Sequence, residues 1–94
     1  MIITLSTHHN NGVFAKVTSG LTQPWDEDEI QSILNAMFDR ISETRPNAEN
    51  PRSINIVIMT INSRIYESVA GFDRKEASVV LNKMLQDLHK GVNP

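Results

Sequence analysis

Twice in this chain an aspartate followed three positions later by a glutamate opens a run of apolar residues at helical spacing. Asp26 with Glu29 precedes Ile30, Ile33, Leu34, Met37 and Ile41, and Asp73 with Glu76 precedes Ala77, Val80, Leu81, Met84, Leu85 and Leu88. An acidic N-cap with a glutamate at the third helical position satisfies backbone N–H groups that a helix start leaves unpaired. Trp25 is placed to staple onto Ile30. The four acids Asp26 to Glu29 therefore have a structural explanation, because negative charge in the first turn complements the helix macrodipole. The first helix is predicted over 26–44, ending where Pro46 biases Arg45 away from helical geometry. The second runs from Asp73 to a stop at Gly91, a residue suited to a C-terminal cap.

Each helix is preceded by residues that read as a strand pair. Ile2, Ile3 and Leu5 open a short run that gives way to polar turn formers at Ser6-Thr7-His8-His9-Asn10. Asn11-Gly12 then favours a tight hairpin turn into Val13, Ala15 and Val17, which alternate with Phe14, Lys16 and Thr18. After a polar connection from Pro46 to Pro51, Ile54, Ile56 and Ile58 alternate with Asn55, Val57 and Met59. That pattern predicts a central strand buried on both faces for part of its length. Asn62-Ser63 makes a hairpin turn into Ile65 to Val69, a half-exposed strand. The fold class is α+β: a small two-layer sandwich, β-hairpin, helix, β-hairpin, helix, with both helices on one face of a mixed or antiparallel sheet. The other face is left partly bare, available to a partner or a second copy.

With 94 residues and no Pro/Gly/Ser-rich divider, one domain spanning 1–94 is the economical reading. Such a chain buries only roughly 60–65% of its unfolded surface, leaving little mass for a deep cleft. Nine Lys+Arg against eleven Asp+Glu give a net charge of −2, and no basic cluster is present to track a phosphate backbone, so direct nucleic-acid binding is not expected. The lack of cysteine removes disulfides, thiolate zinc ligation and thiol catalysis together. No signal peptide is read at the start, and no apolar stretch approaches the roughly 20 residues needed to span a bilayer. A soluble, cytoplasmic protein is expected.

No catalytic or metal motif emerges. His8 and His9 are adjacent, which places them on opposite faces of a strand, and the third histidine is His89, so a metal would need carboxylates supplied by the fold. Ser6 and Thr7 lack a nucleophile-elbow sequence around them. No cofactor is expected. Phe14 and Tyr66 are the aromatic residues best placed for exposed contact. Arg74, Lys75, Lys83, Gln86 and Lys90 complete the candidate partner-binding set on and beside the last helix, although a cation near a helix C-terminus, as at Lys90, is also what the dipole favours.

The stretch from Phe14 to Glu49 resembles the DinI-like family, small regulators of the bacterial DNA-damage (SOS) response, some encoded by prophages. The residues that carry the likeness are Thr22-x-Pro24, Ile30 six positions after the proline, Arg40-Ile41 near the helix end and Pro46-Asn47-x-Glu49 in the loop. A strand pair, a turn at Gly71 and a capped final helix follow in the family's β-α-β-β-α order, giving a DinI-like core over 13–90 preceded by an extra strand and turn, 1–12. The resemblance implies a non-enzymatic protein that binds the RecA filament or antagonises a phage repressor. The chain departs from the family in its final helix, where Arg74, Lys75, Lys83 and Lys90 offset Asp73, Glu76 and Asp87 and leave no acidic ridge. The extra strand is expected at the sheet edge, where it could pair with another protein or a second copy as a homodimer. Two other readings stand beside this one. Residues 65–90 faintly resemble the end of ribosome-associated hibernation factors, and His8 or His9 could serve a shared site in a small dimeric enzyme.

Overall fold

A computed structural model describes the backbone of residues 1–8, 14–22, 26–43 and 52–92, with side chains throughout those ranges except at His8, Phe14 and 89–92. Six elements follow one another: β1 (Ile2–His8), β2 (Phe14–Gly20), α1 (Glu27–Glu43), β3 (Ser53–Met59), β4 (Ile65–Gly71) and α2 (Arg74–Val92). The strands form one wholly antiparallel sheet in the order β2-β1-β3-β4, and the helices pack on one of its faces. This is the expected α+β two-layer arrangement. The Asn11-Gly12 turn, the Trp25 staple and the Pro46 to Pro51 connection lie outside the described residues.

Both helices start at the predicted caps. The Asp26 carboxylate accepts the Glu29 N–H at 2.8 Å, and the Asp26 carbonyl accepts from Ile30 at 3.1 Å. At the second start the Asp73 carboxylate accepts the Lys75 N–H at 3.1 Å. The apolar stripes then do what their spacing requires. Ile30, Leu34, Met37, Phe38 and Ile41 of α1 and Ala77, Leu81 and Leu85 of α2 are buried, and they meet Ile3, Leu5, Ala15, Val17, Ile54, Ile56, Ile58 and Ala70 from the sheet in a single core. At about 25 cal/mol per Å² of apolar surface removed from water, this cluster is the main source of stability.

Four expectations are corrected. β1 does not stop at Ser6: it continues to His8, because Thr7 opposite Ala15 and Ser6 between Lys16 and Asn55 hold it in two ladders, and pairing overrides the turn preference of polar residues. Nor is β1 at the edge. It lies between β2 and β3, with Ile3 and Leu5 fully buried. β3 is buried on one face only, since Asn55 and Val57 on the other are half-exposed. Gly91 does not end α2, which extends to Val92.

The turn between β3 and β4 is also longer than the two residues expected. Ser63 N–H donates to the Thr60 carbonyl at 3.0 Å and Thr60 N–H to the Arg64 carbonyl at 2.9 Å, while Ser63 has a φ of 65°. A tight turn followed by one left-handed residue is the standard three-residue hairpin loop, and glycine fits its last position better than any side-chain-bearing residue. Ser63→Gly is therefore expected to stabilise the protein by about 0.5–1 kcal/mol, the relief of left-handed strain exceeding the added unfolded-state entropy. Urea denaturation would show this as a higher midpoint with an unchanged slope.

Along the solvent side of the helix pair runs a polar seam. Gln31, Asn35 and Asp39 recur at four-residue spacing on α1, and Arg74, Ser78 and Asn82 do so on α2. Ser78 Oγ donates to Gln31 Oε1 at 2.6 Å, Gln31 Nε2 donates to Asn35 Oδ1 at 3.2 Å, and Asn82 Nδ2 donates to the Ser78 carbonyl at 2.9 Å. Arg74 closes the seam by donating to the Asn35 carbonyl at 3.3 Å and pairing with Asp39. Its guanidinium lies 5.6 Å above the Phe38 ring, which in turn packs at 5.3 Å against Phe72. The seam fixes which residues of the antiparallel helices face each other, a specification that the apolar stripes beneath do not supply alone.

Candidate interaction surface

The face of the sheet turned away from the helices is assembled by register. One row across the strands is Gly20, Ile2, Met59 and Ile65; the next is Thr18, Thr4, Val57 and Glu67; a third is Lys16, Ser6, Asn55 and Val69. Toward β2 these rows are polar, with the Thr4 and Thr18 hydroxyls 3.4 Å apart. Toward β4 they become apolar and exposed: Ile65 is 65% accessible, Val69 63%, and Ile61 at the hairpin tip 95%. Large apolar side chains left in water at this density on one side of a small domain mark an interaction surface.

The same side carries an unpaired strand edge. Thr60 N–H bonds to the Arg64 carbonyl and, at the other end, Phe72 N–H bonds to the Arg52 carbonyl at 3.2 Å. The even-numbered residues of β4 therefore turn their backbone groups toward β3. The alternation of an antiparallel ladder leaves those of Ile65, Glu67, Val69 and Gly71 directed outward from the end of the sheet. β4 contains no lysine or proline and keeps an uninterrupted register, leaving Glu67 as its one charged side chain.

On the far side of the helical layer α2 exposes Lys75, Val79, Lys83 and Gln86, spaced by four, four and three residues and so aligned on one stripe that points away from the sheet, opposite the buried Ala77, Leu81 and Leu85. Three of the candidate contact residues are thus brought together there. Arg74 is turned aside into the polar seam, where Asp39 and the Asn35 carbonyl occupy its guanidinium. Tyr66 lies on the helix-facing side of β4, opposite Ile58, and is 38% exposed at the margin of the core. Phe14 and Lys90 belong to β2 and α2, and their side chains lie outside the described residues. Ile61, Ile65 and Val69 were not among the candidates. The alternation of Ile65, Glu67 and Val69 signals their common face, but only the strand order shows that this face and edge are uncovered.

Ser6 and Thr7, neighbours on β1, point to opposite faces: Ser6 is half-buried on the outer side, and Thr7 is 1% exposed within the core. They do not converge on a common site. Thr7 Oγ1 has no hydrogen-bond partner among the described residues. Among the described residues, no three histidine, cysteine or carboxylate side chains gather closely enough to hold a metal ion, and no helix is long and apolar enough to cross a membrane. Comparison of the chain with models of known protein families, with curated proteins and with solved structures returns no match.

Proposed function

We propose that this protein is a non-enzymatic regulator that works by binding another protein through β4 and the outer sheet face beside it. The observation that carries the reading is the exposure of Ile65 and Val69 on a strand whose outer edge has no pairing partner among the described residues. Apolar side chains contribute affinity when covered, and an open edge contributes backbone hydrogen bonds to an incoming strand. Arg64 and Glu67, with Tyr66 at the margin of the core, would border this centre. The DinI-like resemblance nominates the targets: the RecA filament or a phage repressor, in the bacterial damage response or prophage induction.

Fluorescence anisotropy of labelled protein, titrated with RecA assembled on single-stranded DNA and separately with purified phage repressors, tests the proposal. Bare DNA and free RecA serve as controls, at two salt concentrations. Ile65→Lys is expected to weaken binding at least about tenfold, since it removes an apolar contact and places a charge in a desolvated patch. Lys16→Ala, on the opposite strand, is expected to leave binding unchanged. A protein that binds neither target class, or whose binding ignores Ile65→Lys, does not work this way.

A further inference from the structure

We infer that the β4 edge pairs with the β4 edge of a second copy, joining two four-stranded sheets into one continuous antiparallel sheet. The inference rests on the reading of the β4 side as a protein-binding surface, and it names one occupant for the edge. Three properties of the strand select a second copy.

The first is hydrogen-bond parity. A two-fold axis at Ser68 sets Glu67 opposite the partner's Val69 and Ile65 opposite the partner's Gly71. These are the residues whose N–H and C=O groups point outward, so the two Glu67–Val69 pairs can each exchange two backbone hydrogen bonds, while at the strand's end the Gly71 carbonyl already accepts from the Asp73 N–H at 2.8 Å. The second is side-chain fit. In that register Tyr66 faces the partner's Ala70, large against small. The two Ser68 side chains meet across the axis in a close, non-hydrogen-bonded position where hydroxyls can pair.

The third property is charge. Centring the pairing on Glu67 would set that carboxylate against its own copy, which destabilises a cross-strand pair. The Ser68 register avoids this. The other edge strand, β2, offers no equivalent: its exposed Lys16 stands in mid-strand, and Ala15 and Val17 are already buried. The pairing is isologous and therefore closes at two chains without leaving an open β4 edge. It also merges the two outer apolar patches, so that Val69, Ile65 and Met59 of both copies form one surface across the seam.

Sedimentation equilibrium on the full chain without any partner tests this, together with cysteine crosslinking, for which the natural absence of thiols provides a clean background. The wild-type protein should sediment at twice its chain mass of 10.6 kDa. Ser68→Cys should oxidise to a covalent dimer far faster than Ser32→Cys on the exposed side of α1. The Cα atoms of a non-hydrogen-bonded pair lie about 4.5 Å apart, within disulfide range. Val69→Glu, at an exposed position whose change leaves the core intact, should weaken association about 100-fold because each dimer loses two apolar contacts and twice sets a new carboxylate opposite the partner's Glu67. A single-chain mass at every concentration overturns the inference. So does a dimer that survives Val69→Glu, or one in which Ser68→Cys crosslinks no faster than Ser32→Cys. A chain that dimerises by these criteria but binds neither filament nor repressor upholds the pairing and sinks only the functional reading. A monomer that binds a target through Ile65 does the reverse.

Discussion

A chain that begins at Val13, lacking β1, is expected not to fold. β1 is hydrogen-bonded on both sides, to β2 and to β3, and its removal leaves those two strands separated by a strand's width. The core loses Ile3 and Leu5, both fully buried, a deficit of about 3–6 kcal/mol before any hydrogen bond is counted. Each ladder bond contributes roughly 0.5–1.5 kcal/mol more. A domain of this size is stable by about 5–14 kcal/mol, so the combined loss meets or exceeds the total. Circular dichroism of the truncated chain should show no cooperative melting transition. A cooperative melt would mean that β2 closes directly onto β3, pairing in parallel where β1 now stands, and that the first strand is an accessory. The chain from Val13 onward is thus predicted to depend on the segment that precedes it.

Ile56→Ala should be the most damaging of the single truncations along β3. Ile56 is fully buried on the central strand, flanked by Leu5 and Ser68 in the adjoining strands and covered by the helical layer. Deleting three carbons there removes transfer energy and leaves a void that a sheet held on both sides closes poorly, costing about 3–4 kcal/mol. At this chain length that lowers the melting temperature by roughly 12–30 °C. Val57→Ala, one residue along and half-exposed on the outer face, should cost less than about 1 kcal/mol. Equal effects at the two positions in urea denaturation would contradict the assignment of faces.

The helices were legible because their starts and stripes are local: an aspartate cap, acids in the first turn, and apolar residues at three- and four-residue intervals all lie within one segment. Strand identity was nearly as clear where alternation was strong, as at Ile54 to Ile58. What local pattern does not contain is the order of strands, since that depends on which distant segments pair. β1 was therefore expected at the edge, and Ser6-Thr7 was expected in a turn, although two neighbouring strands hold both residues in the sheet. The interaction surface shares this origin. Ile65, Glu67 and Val69 visibly share a face, but whether water, a helix or another strand covers that face is set by topology alone. Lys75, Lys83 and Gln86 share one stripe because α2's periodicity places them together. Arg74 looked equivalent in sequence, and only the approach of Asp39 from α1 sets it apart.

The innermost position of β1 also imposes a timetable. At a synthesis rate of about 5–20 residues per second, the strand made first waits roughly 3–10 seconds for the ribosome to deliver β3, its second neighbour. Until then the sheet consists of the β1–β2 pair alone, with α1 the one helix available to cover Ile3 and Leu5. The long sequence separation between β1 and β3 makes closure of the sheet, and not formation of either helix, the slow event in refolding.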